Sequence, residues 1–184
     1  MNPPAATGSQ PGQVAPVSSV PELSDTLSQA LYALIAQQPF FKGLNSQQLQ
    51  LLAVSALEMK FETGATIFEE GSPANRFYLI LTGRVELSSE MEDQNVIPIQ
   101  TLGSGDDLGW SWLFPPYSMH FKARALEPTT TIFFYGTRLR EQCEQDHELG
   151  YQLMKRIDEV ATQSLRATQR RLMQYIDKNP PEKP

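Results

Sequence analysis

Short apolar runs divided by glycine and proline dominate the centre of this chain and restrict the folds open to it. They lie between residues 57 and 136, in the segments MKFETGATIFEEG, NRFYLILTGRVELSSE, NVIPIQTL and HFKARALEPTTTIFFYG. Runs this short are typical of β-strands, and their close spacing leaves no room for the helices that connect the strands of a parallel sheet. The pattern predicts an antiparallel barrel or sandwich rather than a nucleotide-binding α/β fold.

The breaks between these runs carry residues suited to turns. Thr63-Gly64, Thr82-Gly83 and Glu127-Pro128 each separate two predicted strands, and glycine and proline both favour turns. Pro98 instead lies inside a run. Because proline cannot donate a hydrogen bond to a neighbouring strand, we expect an edge or irregular strand there.

The composition changes before the strands begin. Residues 1–22 are rich in Pro, Ala, Ser and Gly and contain few large apolar groups, which predicts a disordered tail. A first amphipathic helix is predicted over residues 23–38, because Pro39 ends a run of apolar residues at helical spacing. That run consists of Leu23, Leu27, Leu31, Leu34 and Ile35.

A second, short helix is predicted directly after the first. Asn45 is a suitable N-cap, and Gln48 three residues later completes the capping-box pattern. Leu49, Leu52 and Ala53 then recur at the spacing of one helical face, so we expect these three side chains to point inward.

Helical spacing returns after the strands, over residues 137–177. Thr137 is the expected cap of a short helix, and Asp146 the expected cap of a long helix that runs to about Ile176. Residues 178–184 contain three prolines and are predicted to be disordered. A helix of about 30 residues extends about 45 Å, farther than a barrel of this size reaches.

One face of the long helix carries a heptad-like seam. Its members alternate steps of four and three residues. They are Ala161, Leu165, Thr168, Leu172 and Tyr175, and Met154 and Ile157 lead into them. Either the seam packs on its own domain, or it pairs in part with a second copy of the chain, and we expect a homodimer.

Charge and composition exclude several classes of function. Lys and Arg number 15 against 21 Asp and Glu, for a net charge of −6, which disfavours direct binding to nucleic acid. Cys143 is the only cysteine, and His120 and His147 stand in no metal or base motif. No apolar run is long enough to span a membrane and no leader pattern is present, so we expect a soluble, cytoplasmic protein that is not an enzyme.

Two segments resemble a known family. PFFKGLNSQQLQLLA is similar to the helix that leads into the cyclic nucleotide-binding domain of the bacterial catabolite-activator-like regulators, and IFEEGSPANRFYLILTGRVEL is similar to a barrel segment of that domain. The resemblance covers about residues 39–176. It implies a barrel of the double-stranded β-helix type, also called a jelly roll, over residues 39–136, followed by a long helix. The fold class is α+β, and most of the regular structure is β.

The resemblance also implies where a ligand would bind. Family members place a short helix after a cassette glycine, a Glu directly after that glycine for the ribose, and an Arg nine residues later for the cyclic phosphate. Aligned without gaps, the glycine is Gly109, the Glu position is Trp110 and the Arg position is Met119. Trp110 and Met119 cannot make these charged contacts. Loss of one partner of a buried charge pair costs about 2 to 5 kcal/mol of binding free energy. The candidate ligand-binding residues are Tyr78, Gly109, Trp110, Ser111, Trp112, Met119 and His120.

Nearby cations offer one way to replace the missing Arg. Strand alternation places Met119, Phe121, Ala123 and Ala125 on one face and His120, Lys122 and Arg124 on the other. We expect the three cations on the solvated outer face. A one-residue slip after Pro115-Pro116 is the alternative, which would turn His120 or Lys122 inward.

The sequence allows two roles for the two tryptophans that follow Gly109. Trp110 and Trp112 either fill the cavity that a nucleotide would occupy, or one of them stacks on a different planar ligand. The segment FPPY between them and the next strand is expected to be a stiff connector.

These observations predict a stand-alone regulatory protein with no enzymatic activity and no certain cofactor. A cyclic nucleotide is the candidate ligand, although both residues that would hold it are replaced. The alternatives are a module that senses this or another small ligand, and a module that binds a protein partner. Family regulators carry a DNA-binding domain after the long helix, whereas eight residues follow Ile176, so we expect no direct DNA binding and no membrane association.

Overall fold

The computed structural model of the chain describes residues 20–90 and 96–178. Two helices precede the strands and two follow them. The helices are α1 (Val20–Ala36), α2 (Ser46–Ser55), α3 (Gly136–Gln145) and α4 (His147–Lys178), with single 3-10 turns at Pro39–Phe41 and Trp110–Trp112. The strands are β1 (Leu57–Phe61), β2 (Thr66–Phe68), β3 (Arg76–Thr82), β4 (Val85–Glu90), β5 (Val96–Leu102), β6 (Asp107–Leu108), β7 (Lys122–Ala125) and β8 (Thr129–Tyr135).

The strands form two antiparallel sheets of four strands each. Their orders are β1-β8-β3-β6 and β2-β7-β4-β5. The turns at Thr63-Gly64 and Thr82-Gly83 each carry the chain from one sheet to the other, as in a jelly roll. Gly83 has φ of 98°, and a Cβ there would clash with Thr129. The predicted mainly β barrel is confirmed.

The edge strand predicted from Pro98 is also present. β5 lies at the edge of its sheet, and its register with β4 shifts where Leu87 and Ser88 face Gln100 and Pro98. The irregularity therefore falls where proline cannot complete the hydrogen-bond ladder.

Side chains on β3 divide the core in two. Tyr78 and Ile80 point between the sheets, whereas Phe77 and Leu79 point to the side on which the helices pack. All four are at most 2% exposed. A strand buried on both faces lacks the usual alternation of apolar and polar residues, which explains the continuous run FYLIL.

The N-terminal helix differs from its prediction at both ends. It begins at Val20 and ends at Ala36, so residues 20–22 are helical and not part of a tail. Proline at position 21 is tolerated because the first helical turn needs no backbone donor. The rest of the predicted tail, residues 1–19, lies outside the described residues.

The apolar stripe of α1 is only partly buried. Leu31 and Ile35 are buried, but Leu27 and Leu34 are exposed. Helix α1 packs chiefly on α2, and this narrow contact covers one edge of the stripe. The α2 prediction is confirmed, since Asn45 and Gln48 form both capping-box hydrogen bonds, at 2.9 and 3.1 Å. Leu49, Leu52 and Ala53 are buried as expected.

The cap predicted at Thr137 is wrong. Helix α3 begins at Gly136, directly after β8, because the Gly136 N–H donates to the Asn75 carbonyl and turns the chain there. The Thr137 hydroxyl instead accepts a hydrogen bond from Arg140. The cap at Asp146 is confirmed, with its Oδ1 accepting from the Leu149 N–H at 2.9 Å.

Helix α4 runs to Lys178, slightly beyond the predicted end at residue 177. Residues 179–184, the rest of the predicted disordered end, lie outside the described residues. Within the part of the chain that the structure describes, no helix has the length and apolar character needed to cross a bilayer.

Candidate functional site

Gly109 sits where β6 turns into a single 3-10 turn over Trp110–Trp112. Its φ is 83°, and a Cβ on it would lie 2.8 Å from the Arg76 carbonyl oxygen. Only glycine fits both the left-handed conformation and the close approach. The skeleton of the cassette, a glycine followed by a short helix, is therefore present as expected.

Met119 occupies the position at which the family resemblance implies an Arg. It is 4% exposed, and its Cε lies 3.4 Å from where a Gly109 Cβ would stand. Backbone hydrogen bonds hold it on both sides, since its N–H donates to Ser72 and its carbonyl accepts from Gly71, both at 2.8 Å. A thioether thus packs against the cassette glycine, and no positive charge stands at this position.

Lys122 and Arg124 lie on the outer face, as predicted. Lys122 pairs with Glu69 at 3.0 Å, and Arg124 pairs with Glu86 at 3.3 Å. Ala123 and Ala125 on the opposite face are fully buried. The one-residue slip that would have turned Lys122 inward is therefore absent.

His120 is exposed but contacts the cassette itself. Its ring stacks on Trp110, with the ring centroids 4.9 Å apart and an interplanar angle of 14°. Its Nδ1 lies 2.7 Å from the Ser111 hydroxyl. These contacts join the 3-10 turn to the start of β7, so three of the candidate site residues form one cluster on the cassette.

The two tryptophans do not fill the barrel interior. Trp112 is fully buried on the side where the helices pack, next to Phe77, and its Nε1 has no hydrogen-bond partner among the described residues. Trp110 lies half-buried against His120. Trp112 does not line the small cavity beside Gly109, whereas Trp110 does, so the interpretation that the two indoles fill the space of a nucleotide stays a prediction.

Other aromatic residues fill the interior instead. Tyr78 is 2% exposed, and its ring centroid lies 5.9 Å from that of Phe133, 6.0 Å from that of Phe68 and 6.4 Å from that of Phe61. The candidate residue Tyr78 is therefore part of the core between the sheets.

A small cavity remains beside the cassette. Its volume is about 20 Å³, which holds about one water molecule. Gly109, Ser111 and Met119 line it from the cassette, and Val160 and Ser164 of α4 line it from the other side. As it stands, the cavity is much too small for a nucleotide.

Asp107 also lines this cavity and was not singled out from the sequence. The residue keeps some exposure, but its Oδ2 is fully buried and has no hydrogen-bond partner among the described residues. Burial, together with the charge of Asp106, raises the pKa of Asp107 to about 7. The available signal was the acidic pair Asp106-Asp107, which Leu108 separates from Gly109.

An open groove of about 430 Å³ adjoins this cavity along α4. Trp110, His120 and Phe121 form one wall, and Ala161, Leu165 and Thr168 form the other. Three members of the predicted seam therefore face the cassette groove.

The other two seam members, Leu172 and Tyr175, lie farther along the helix. Leu172 is 56% exposed, close to the 58% of Leu165 in the groove wall. Tyr175 is half-buried and faces Pro98 of β5 across a second depression, and the Arg171 side chain donates to the Pro98 carbonyl at 2.6 Å. Some seam residues are thus partly covered by the rest of the domain. The two leucines stay more than half exposed in the part of the chain that the structure describes.

Comparisons with known proteins agree on the domain. The family model of the cyclic nucleotide-binding domain matches residues 58–146. A CRP-like cAMP-activated global transcriptional regulator of Mycobacterium tuberculosis is 24% identical over 143 residues, which are 78% of this chain and 62% of that protein. The chain thus spans less than two thirds of the length of this relative.

Solved structures show the same architecture. A crystal structure of a protein from Geobacter metallireducens GS-15, described as cyclic nucleotide-binding, is 31% identical, covers 75% of this chain and 97% of that chain, and superposes with a TM-score of 0.64. The regulatory subunit of a cAMP-independent protein kinase A from Trypanosoma cruzi, bound to guanosine, is 18% identical with a TM-score of 0.64, over 88% of this chain and 54% of that one.

Proposed function

Because the chain belongs to the cyclic nucleotide-binding domain family, we propose that it is a non-enzymatic regulatory module whose cassette no longer holds a cyclic phosphate. The observation that carries this proposal is the burial of Met119 against Gly109. A cyclic nucleotide would bring its negative charge to a site that offers a thioether in place of a guanidinium.

Four physical effects lower the affinity for cyclic AMP and cyclic GMP. The phosphate lacks a charge-assisted, bidentate partner, and Trp110 offers no carboxylate to the ribose hydroxyl. Asp107, which lines the same cavity, adds a negative charge when ionised. The cavity of about 20 Å³ beside Gly109 must also open to admit the ribose and cyclic phosphate, even with the base in the adjoining groove.

Restoring the two missing groups tests this account. The double variant Trp110→Glu/Met119→Arg should bind cyclic AMP at least about 30-fold more tightly than the unmodified chain, the lower end expected for one buried charge pair. Calorimetric titration measures both affinities. Met119→Leu is the matched control, because it replaces the same buried side chain without adding a charge.

The two substitutions should also change the melting temperature of the protein. Without ligand, the new Arg gives up hydration at a buried position and lacks the phosphate that would compensate for it, so the double variant should melt at a lower temperature and recover on addition of cyclic AMP. A folded double variant that binds cyclic AMP no better than Met119→Leu would contradict the assignment of these two positions.

The module can act as a ligand sensor or bind a protein partner. The groove along α4 favours a sensor, because a ligand placed there contacts the cassette and α4 at once and can shift their relative position. The T. cruzi structure contains guanosine, a nucleoside without a phosphate, so this fold accommodates a ligand that lacks one. This supports a ligand other than a cyclic nucleotide as the second candidate.

The proposal includes a homodimer formed through α4. Leu165 and Leu172 are exposed and lie seven residues apart on one face of the helix, the spacing at which two helices pair. A second copy that covers these leucines would remove their apolar surface from water. Pairing through α4 would also let a change at the cassette of one copy reach the other.

A further inference from the structure

Asp107 lies beneath α4 at the edge of its sheet. It pairs with Leu79 of β3, and directly opposed residues of antiparallel strands share a face, so its side chain is on the side where the helices pack. Val160 and Ser164 of α4 line the same cavity. The buried Oδ2 has no hydrogen-bond partner and no ion pair among the described residues. A water-sized group does not touch this oxygen, so a cation in the cavity gains from the charge of the Asp107 carboxylate and not from a hydrogen bond to Oδ2.

The cavity next to Asp107 matches a small donor in size and in polar groups. Its volume of about 20 Å³ fits a group the size of one water molecule, and a primary ammonium is of that size. Asp107, Gln100 and Ser164 line it, and each side chain carries an oxygen that accepts hydrogen bonds. An ammonium group has three donors and no acceptor, so three oxygens suit it.

The groove outside the cavity suits an apolar body. Trp110, His120, Phe121 and Ser164 line both spaces, so the two adjoin. The volume of about 430 Å³ lies in the range of small-molecule sites. Phe121 and Leu165 contribute apolar walls, which favour an aromatic or alkyl group over a sugar phosphate.

The charges around this place favour a cation over an anion. Asp107 and the neighbouring Asp106 are acidic, and the chain has a net charge of −6. His120 is the other titratable group at the cavity wall. A phosphate or carboxylate would meet repulsion here, whereas an ammonium would gain attraction from a carboxylate that water screens little.

We propose that the cavity and groove form a binding site for a primary ammonium ion carried on an aromatic or alkyl body, with Asp107 as the residue that selects the positive charge. This inference rests on the proposed function, because the site is available only if a cyclic phosphate does not occupy the cassette. It adds the class of ligand and a residue for which the family resemblance implies no role.

Three probes of similar shape test the selection of charge. Phenethylamine, phenethyl alcohol and hydrocinnamate are a cation, a neutral molecule and an anion on nearly the same body. We expect saturable binding of phenethylamine to the full chain at about pH 8, above the pKa of about 7 of Asp107. The alcohol should bind at least about tenfold more weakly, and hydrocinnamate should not bind. Calorimetry and the shifts of the tryptophan indole N–H signals in NMR spectra report the binding.

Two matched variants locate the selecting charge. Asp107→Asn should reduce phenethylamine affinity at least about tenfold and leave the affinity for the alcohol within about twofold, because only the ammonium needs the carboxylate. Asp158→Asn removes the same charge from the exposed face of α4 and should change neither. All titrations use the chain in its native oligomeric state, because Leu165 belongs both to the groove and to the seam.

The outcomes separate this inference from the proposed function. Equal binding of amine and alcohol, no binding by any probe, or an amine preference that survives in Asp107→Asn overturns the ammonium site. A parallel titration with cyclic AMP addresses the proposed function alone. Tight cyclic AMP binding would overturn that function, whereas weak cyclic AMP binding without amine binding would overturn only the ammonium site.

Discussion

At the scale of a single residue, burial changes the pKa of the Asp107 carboxyl. Its carboxyl has a pKa of about 7 instead of 3.8, chiefly because burial penalises the charged form. The unfolded chain loses this proton near pH 4, whereas the folded protein holds it until about pH 7. Between these values the folded state binds more protons, so the free energy of unfolding falls as the pH rises through this window.

Asp107→Asn should remove that pH dependence. Relative to the unmodified chain, the variant should gain up to about 4 kcal/mol of unfolding free energy between about pH 4 and pH 7, at 1.4 kcal/mol per pH unit. Urea denaturation of both proteins at several pH values measures the difference. The exposed Asp158→Asn should show no such trend, and a constant difference between Asp107→Asn and the parent would contradict the burial of this charge.

The residues of the cassette were predictable to different degrees. Gly109, Trp110 and Met119 follow from a gapless alignment with the family pattern, and the structure places Gly109 and Met119 beside the same cavity. Burial of Asp107 depends on the packing around the cavity that it shares with Val160 and Ser164 of α4, and the direction of Trp112 depends on a single 3-10 turn. Neither leaves a periodic signal in the sequence.

Local hydrogen bonds explain which elements were predicted well. The caps at Asn45 and Asp146 need only bonds to residues three positions away, so the sequence contains the whole motif. The start of α3 depends on a bond between Gly136 and Asn75, which are far apart in the chain. The exposure of Leu27 depends likewise on which part of α1 meets α2.

Helix α4 carries the prediction about oligomers. Leu165→Glu and Leu172→Glu each place a charge in the apolar seam and should convert the expected dimer to a monomer. Light scattering of the purified proteins measures the mass directly. Gln163→Glu, which adds the same charge at an exposed position on the opposite face of α4, is the matched control and should remain dimeric. If the unmodified chain has the mass of a monomer, the seam packs only on its own domain.

At the scale of the whole molecule, the two sheets and the long helix form the frame of a cyclic nucleotide-binding domain. The short runs and glycine turns predicted an antiparallel barrel or sandwich, and the family resemblance implied its jelly-roll form. The sequence did not predict that aromatic side chains such as Tyr78 and Phe133 would fill the interior, since that depends on packing between sheets. The sequence also could not predict the cavity of about 20 Å³, because residues far apart in the chain line it.

The central claim is that this frame has lost its site for a cyclic phosphate. Calorimetric titration of the unmodified chain with cyclic AMP, and then with cyclic GMP, tests it most directly. The account predicts dissociation constants in the millimolar range or no saturable heat, because Met119 replaces the charged partner of the phosphate. A dissociation constant in the low micromolar range for either nucleotide would contradict it.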